Sequence, residues 1–197
     1  MTHALEEMKT ASIRRITGPT ILLGSGTYFD FEAPEESEIT IEDVAYGLAY
    51  ACRFAGQCYS RILKRRVFYS VAEHCVRMSM AAPPALRLQA LMHELGEPVC
   101  GDMTGPLKSL CPDYKSIEKN CEAAIARRFD VRITDPDEIK LLDLRMLATE
   151  KRDLMRCGND KWDYTRGAEP FEFEIIPWHH DAAATEFLRR YHELTKP

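Results

Sequence analysis

Residues 70–102 read SVAEHCVRMSMAAPPALRLQALMHELGEPVCGD, and the placement of their histidines and carboxylates decides how the whole chain is read. Two helical patterns flank Pro83 and Pro84. The first opens on Ser70-x-x-Glu73 and carries Val71, His74, Cys75 and Met78 on one face. The second, over residues 85–97, has Leu88, Leu91, Met92 and Leu95 as its apolar set and contains His93–Glu94 near its end. Glu97 follows, and Asp102 lies in the loop beyond. A histidine, a histidine–carboxylate pair and two further carboxylates in so short a span suit a metal site with acid–base groups around it. Asp143, inside a later helical pattern, is a candidate fourth ligand.

Outward from this stretch, the pattern stays mostly helical. Thr40-x-x-Asp43 forms a capping-box signal before a stripe of Val44, Leu48, Ala51 and Cys52. Arg53 to Gln57 breaks the period, and the segment that follows is basic, with Arg61, Lys64, Arg65 and Arg66. Helices are expected from Asp113 to Phe129, from Asp135–Pro136 toward Met155, and over 181–194. Residues 158–178 read as irregular. On the N-terminal side, residues 1–19 hold a short amphipathic stretch and a Gly18–Pro19 turn. TILL and TYFDF around Gly24–Ser25–Gly26 predict a small β-hairpin. The acidic segment Glu32–Glu38 reads as a solvated loop. The expectation is one mostly α domain over 1–197, a helical bundle with a small N-terminal hairpin.

Composition narrows the function classes. A chain of 197 residues with 45% apolar and 29% charged residues suits one soluble globular domain. A net charge of -5 and the absence of a long basic block argue against a nucleic-acid polymer as partner. No apolar run is long enough to span a membrane, and the N-terminus lacks a signal-peptide core, so a cytoplasmic place is expected. Seven cysteines without a CxxC pair read as reduced residues rather than a disulfide or zinc framework.

The individual residues also have ordinary readings. Taken alone, His74 on an apolar face reads first as a core histidine with its hydrogen bonds satisfied. Glu94 and Glu97 lie on neighbouring positions and repel unless a cation or proton compensates. Asp143 sits among Ile139, Leu142, Met146 and Leu147, where a carboxylate needs a partner; a metal or an arginine would serve. Tyr28, Phe54, Tyr69 and Trp178 are candidates to stack on a base, and each has a core alternative. His179–His180 is an awkward pair for a single ion and is expected at the surface.

The ordered blocks IEDVAYGL, CRFAGQ, FYSVAEH, LMHELGE, GDMTGPLK, DLRMLATEKRDL and IPWHHDAAATEFL resemble the HD-domain metal-dependent phosphohydrolases over about residues 20–194. The similarity is to the compact branch with bacterial 5'-deoxynucleotidases and phage deoxynucleotide phosphohydrolases, among them dATP triphosphohydrolases. By that resemblance His74, His93, Glu94 and Asp143 hold one divalent cation, with zinc, cobalt or manganese expected. Glu97 and Asp102 are the implied catalytic carboxylates. Arg53 and Lys108 are the implied phosphoryl contacts, with Phe54 and Trp178 near the base of a small nucleotide. The implied activity is release of phosphate from deoxynucleoside monophosphates. The alternatives are triphosphate release from a deoxynucleoside triphosphate, and nucleotide binding without turnover. The resemblance also implies a homo-oligomer. Two departures stand out: Glu94 replaces the signature aspartate, and the segment between Arg53 and His74, containing SRILKRR, is longer than the family's.

Overall fold

The computed structural model describes residues 15–196; the amphipathic stretch expected near the N-terminus lies largely outside them. Strands β1 (Thr20–Leu22) and β2 (Tyr28–Asp30) pair antiparallel, with Thr20 opposite Asp30 and Leu22 opposite Tyr28. Gly26 makes the turn at φ +87, a backbone conformation that costs a glycine nothing. Phe29 points inward and is wholly buried, which anchors the hairpin to the helices by about 1.5–3 kcal/mol of apolar burial.

Eight α-helices occur among the described residues. They are α1 (Ile41–Tyr50), α2 (Val71–Ala81), α3 (Arg87–Leu91), α4 (Glu97–Cys100), α5 (Gly105–Lys108), α6 (Pro112–Arg128), α7 (Pro136–Leu154) and α8 (His180–Thr195). The chain is thus mostly α with a small N-terminal hairpin, as expected. The start signals act as read: Thr40 and Asp43 make both bonds of a capping box, and Ser70 Oγ accepts from the Glu73 N–H. Pro136 stands in the first turn of α7 with Asp135 as its N-cap. None of these helices is long and apolar enough to cross a membrane.

Two local expectations are corrected. The helix expected over 85–97 is broken: α3 ends at Leu91, Met92 leaves helical geometry at φ -107, ψ 18, and α4 begins only at Glu97. Pro98 is the physical reason, because in a continuous helix its ring would meet the Glu94 carbonyl. His93 and Glu94 therefore sit in a turn. The basic segment after Arg53 is not a plain loop either. Strands β3 (Tyr59–Ser60) and β4 (Arg65–Arg66) pair in a second tight hairpin, turned at Lys64 with φ 55. Its run of charges hid the alternation that marks a strand. The acidic segment Glu32–Glu38 holds a short 3-10 turn at Pro34–Glu36, with both glutamates of that turn at the surface.

Helix α2 occupies the centre, with eight of its eleven residues buried. Val71, Ala72, Cys75 and Val76 join a core built with Phe29, Val44, Leu48, Leu91, Cys121 and Phe187. Met78 joins a second core with Leu142, Met146, Leu154, Phe171 and Ile175. His74 lies on the same helix between these two sets. Among the described residues all seven cysteines are free thiols, as expected, with Cys58, Cys75 and Cys121 buried.

Gly47 lets α1 approach α4: a Cβ there would lie 2.8 Å from the Pro98 carbonyl oxygen. Alanine gains about 1 kcal/mol of helix propensity over glycine, but overpacking against backbone costs about 1–3 kcal/mol. Gly47→Ala is therefore expected to lower stability in urea denaturation; a stabilised variant would refute the close approach.

Candidate metal centre

Three separated segments bring one donor each, or a pair, to a common point. His74 comes from the first turn of α2, His93 and Glu94 from the turn between α3 and α4, and Asp143 from α7. One ligand atom from each of these four residues lies within 4.8 Å of the others, so the group could hold a metal ion. His74 Nε2 is 3.2 Å from His93 Nε2 and 3.6 Å from Asp143 Oδ1, and His93 Nε2 is 3.5 Å from Glu94 Oε1. For donors about 2.1 Å from a common cation, separations of this size subtend about 100–120°, around the tetrahedral angle.

The hydrogen bonds of the two imidazoles show what the point requires. His93 Nδ1 donates to the Ala90 carbonyl oxygen at 2.9 Å. His74 Nδ1 donates to Glu150 Oε1 at 2.6 Å. Burial first, then the positive charge of Arg53, pushes His74 well below its ordinary value, so its ring is neutral. With Nδ1 of His74 as the donor to Glu150, its Nε2 carries a lone pair and lies 3.2 Å from His93 Nε2. Two carboxylates face the same point. Only positive charge between them relieves that arrangement. Burial raises the Asp143 carboxyl, yet the group is held below the usual carboxylate range, with Lys140 Nζ donating to Oδ2 at 2.7 Å. Burial also raises Glu94, against the neighbouring His93.

Glu150 is a functional residue that sequence reading missed. It is wholly buried and accepts both from His74 and from the Arg53 guanidinium, whose Nε and Nη2 lie 3.2 and 2.9 Å from Oε2. It thus sets the tautomer and the ring orientation of His74. A signal was present: Glu150 lies seven residues after Asp143, two helical turns on and about 20° from the same direction. Arg53 is held from behind by Glu150, while its Nη1 faces Glu94 at 4.0 Å.

The remaining expected site residues divide. Glu97 is buried beside the cluster, and its Oε2 has no hydrogen-bond partner among the described residues. Burial, then the charges of Glu94 and Asp102, pushes its carboxyl well up. Asp102 is also raised by burial, while Arg53 and Lys108 oppose the shift. Lys108 Nζ lies 3.8 Å from Glu97 but 2.7 Å from Glu118, a tether that no sequence signal disclosed. Phe54 flanks Arg53 and meets Trp162 at 6.4 Å between ring centroids. Trp178 is not brought to the cluster: Arg77 covers its ring at 4.6 Å, and it packs on the first core. Tyr69 is wholly buried, out of reach of a base. His179, His180 and Asp181 form a second group with close ligand atoms at the start of α8, largely exposed as expected.

Removal of Glu150 leaves a buried guanidinium and the Nδ1 of His74 without their acceptor. Glu150→Ala is expected to cost about 3–5 kcal/mol, the range for breaking a buried pair, with part recovered in the Arg53→Met/Glu150→Ala double variant. Urea denaturation of the single and double variants checks this, and a cost below about 1 kcal/mol would contradict the buried network.

No protein-family model matches the chain. Over 173 residues it is 35% identical to the uncharacterized protein YfdR of Escherichia coli, an alignment covering 87% of this chain and 93% of YfdR. Over 124 residues it is 35% identical to an uncharacterized protein of Rhodobacter capsulatus, covering 59% of this chain and 61% of that protein. With such identity sustained over nearly the full length of both chains, this protein belongs to the same family as YfdR.

Proposed function

We propose that this protein is a metal-dependent phosphohydrolase of the HD-domain type that releases inorganic phosphate from deoxynucleoside 5'-monophosphates in the cytoplasm. The observation that carries the reading is the approach of the two Nε2 atoms to 3.2 Å, with ligand atoms of Glu94 and Asp143 gathered at the same point. This is a donor set suited to zinc, cobalt or manganese. Glutamate in place of aspartate at position 94 is accommodated, since its Oε1 stands 3.5 Å from His93 Nε2. The turn geometry at 92–96, rather than a rigid helix, absorbs the extra methylene. A cation bound here supplies an acidified water and positive charge for a phosphoryl oxygen.

The chain's own residues divide the remaining work. Arg53 Nη1 and Lys108 Nζ present positive charge on the cluster's open side, where it offsets charge building on the phosphoryl oxygens. Asp102, with no hydrogen bond to the described residues, takes the proton of the attacking water. The bond from phosphorus to the sugar 5' oxygen breaks, and Glu97 delivers its proton to that leaving oxygen. Phe54, next to Arg53, offers aromatic surface for the base. The monophosphate reading is favoured over a triphosphate because Arg61 of the inserted hairpin is tied to Asp153 and Glu174, away from the four ligands.

The test is phosphate release from deoxynucleoside mono- and triphosphates by metal-stripped protein with manganese, cobalt, zinc or magnesium restored. Monophosphates are expected to give phosphate and deoxynucleoside. Asp143→Asn is expected to lose at least a hundredfold in rate, and Glu97→Gln a comparable amount, since general acid catalysis contributes about 10²–10⁴. Release of triphosphate instead would move the assignment to a triphosphohydrolase. Silence with every metal, in protein folded by circular dichroism, would leave a nucleotide-binding role.

A further inference from the structure

One cavity lies apart from the candidate metal centre. It has a volume of about 890 Å³ and lies between the β3–β4 hairpin, the C-terminal half of α7 and the irregular segment after it. None of the four metal-cluster residues lines it, nor do Glu97, Asp102 or Lys108. Helix α7 separates the two places. Its Asp143 and Glu150 face the imidazoles, whereas Ala148 and Arg152, which line the cavity, point about 140° and 180° away from Asp143 at 100° per residue.

The lining is one-signed in a chain whose net charge is -5. Arg61, Lys64, Lys151, Arg152 and Arg156 face the cavity, and no carboxylate does. Arg61 and Arg152 are neutralised between them by the buried Asp153 and by Glu174. Lys64, Lys151 and Arg156 have no carboxylate within ion-pair distance among the described residues. Three unpaired cations converging on one cavity repel one another, and an anion entering it relieves that repulsion. The aromatic faces nearby are already taken. Arg156 lies over Tyr59 at 4.6 Å, and Lys151 over Trp162 at 5.8 Å. A base therefore finds no bare ring to stack on here, and recognition falls to the charges.

We propose that this cavity is a second ligand site, separate from the metal centre, which binds a compact oligophosphate through its phosphates and is indifferent to any base attached. The ligand is either inorganic oligophosphate or the phosphate tail of a nucleoside triphosphate. Its volume lies within the range of about 300–1,000 Å³ typical of small-ligand sites. The cavity lies between a hairpin and a helix, and its cations share one lining of limited extent, which suits a short anion better than a nucleic-acid strand. The site makes no use of the proposed phosphohydrolase activity.

The experiment is isothermal titration calorimetry in excess EDTA, which removes any route through a metal, with inorganic tripolyphosphate and the four deoxynucleoside triphosphates as probes. Expected is one tripolyphosphate per chain, affinities for the four nucleotides within about threefold of one another, and weaker binding as salt rises. The surface substitutions Lys64→Gln, Lys151→Gln and Arg156→Gln, combined, should weaken tripolyphosphate at least tenfold in protein that remains folded by circular dichroism. Lys108→Gln, at the metal centre, should leave it unchanged. Binding that survives the triple substitution, or falls with Lys108→Gln instead, overturns the assignment, as does absence of binding by the unsubstituted chain. Tighter binding of a short single-stranded oligonucleotide, lost in the same triple variant, would overturn it in favour of a nucleic-acid surface. A strong preference for one base would overturn the phosphate-only recognition.

Discussion

The buried contact between Glu150 and its two donors is the constraint on which the site depends. A carboxylate with no exposure is sustainable only because Arg53 meets it with two N–H groups and His74 Nδ1 with a third. This network ties α7 to α2 and to the segment after α1, so the fold and the site share a fastening. It also leaves His74 Nε2 as an acceptor. Were Glu150 apolar, the ring could turn or take the other tautomer, and the lone-pair cluster would lose one of its members.

The second constraint is the broken helix before Pro98. A continuous helix would send the side chains of His93 and Glu94 in directions about 100° apart. In the turn, both reach the same point, and the Ala90 carbonyl holds the His93 ring by its Nδ1. Gly47 and Gly96 make room for this: side chains there would collide with Pro98 and with the Glu118 backbone, respectively. Proline creates the break, and two glycines allow neighbouring helices to close over it.

Helix α7 divides the molecule's charge. One side carries Asp143 and Glu150 toward the imidazoles, and the other carries Arg152 toward the basic cavity, with Lys151 at its margin. The β3–β4 hairpin, with Arg61 and Lys64, belongs to that second side. It therefore adds to the surface behind α7 rather than to the surroundings of the four clustered residues.

Local sequence was enough to determine the helical character of the chain, the N-terminal hairpin and the caps at Thr40, Ser70 and Asp135. Each rests on periodicity or on hydrogen bonds between residues three apart. Sequence was also enough to single out His74, His93, Glu94 and Asp143, because polar groups on apolar faces stand out against a helical stripe. Which atoms they turn to one another depended on partners far along the chain: Glu150 for His74, the break imposed by Pro98 for His93 and Glu94, and Glu118 for Lys108. Trp178 shows the limit from the other side, since an aromatic beside two histidines looked available until Arg77 was seen to cover it. Local rules describe what a residue prefers, but orientation, tautomer and charge state follow from what packs against it. Only the tertiary structure supplies those neighbours.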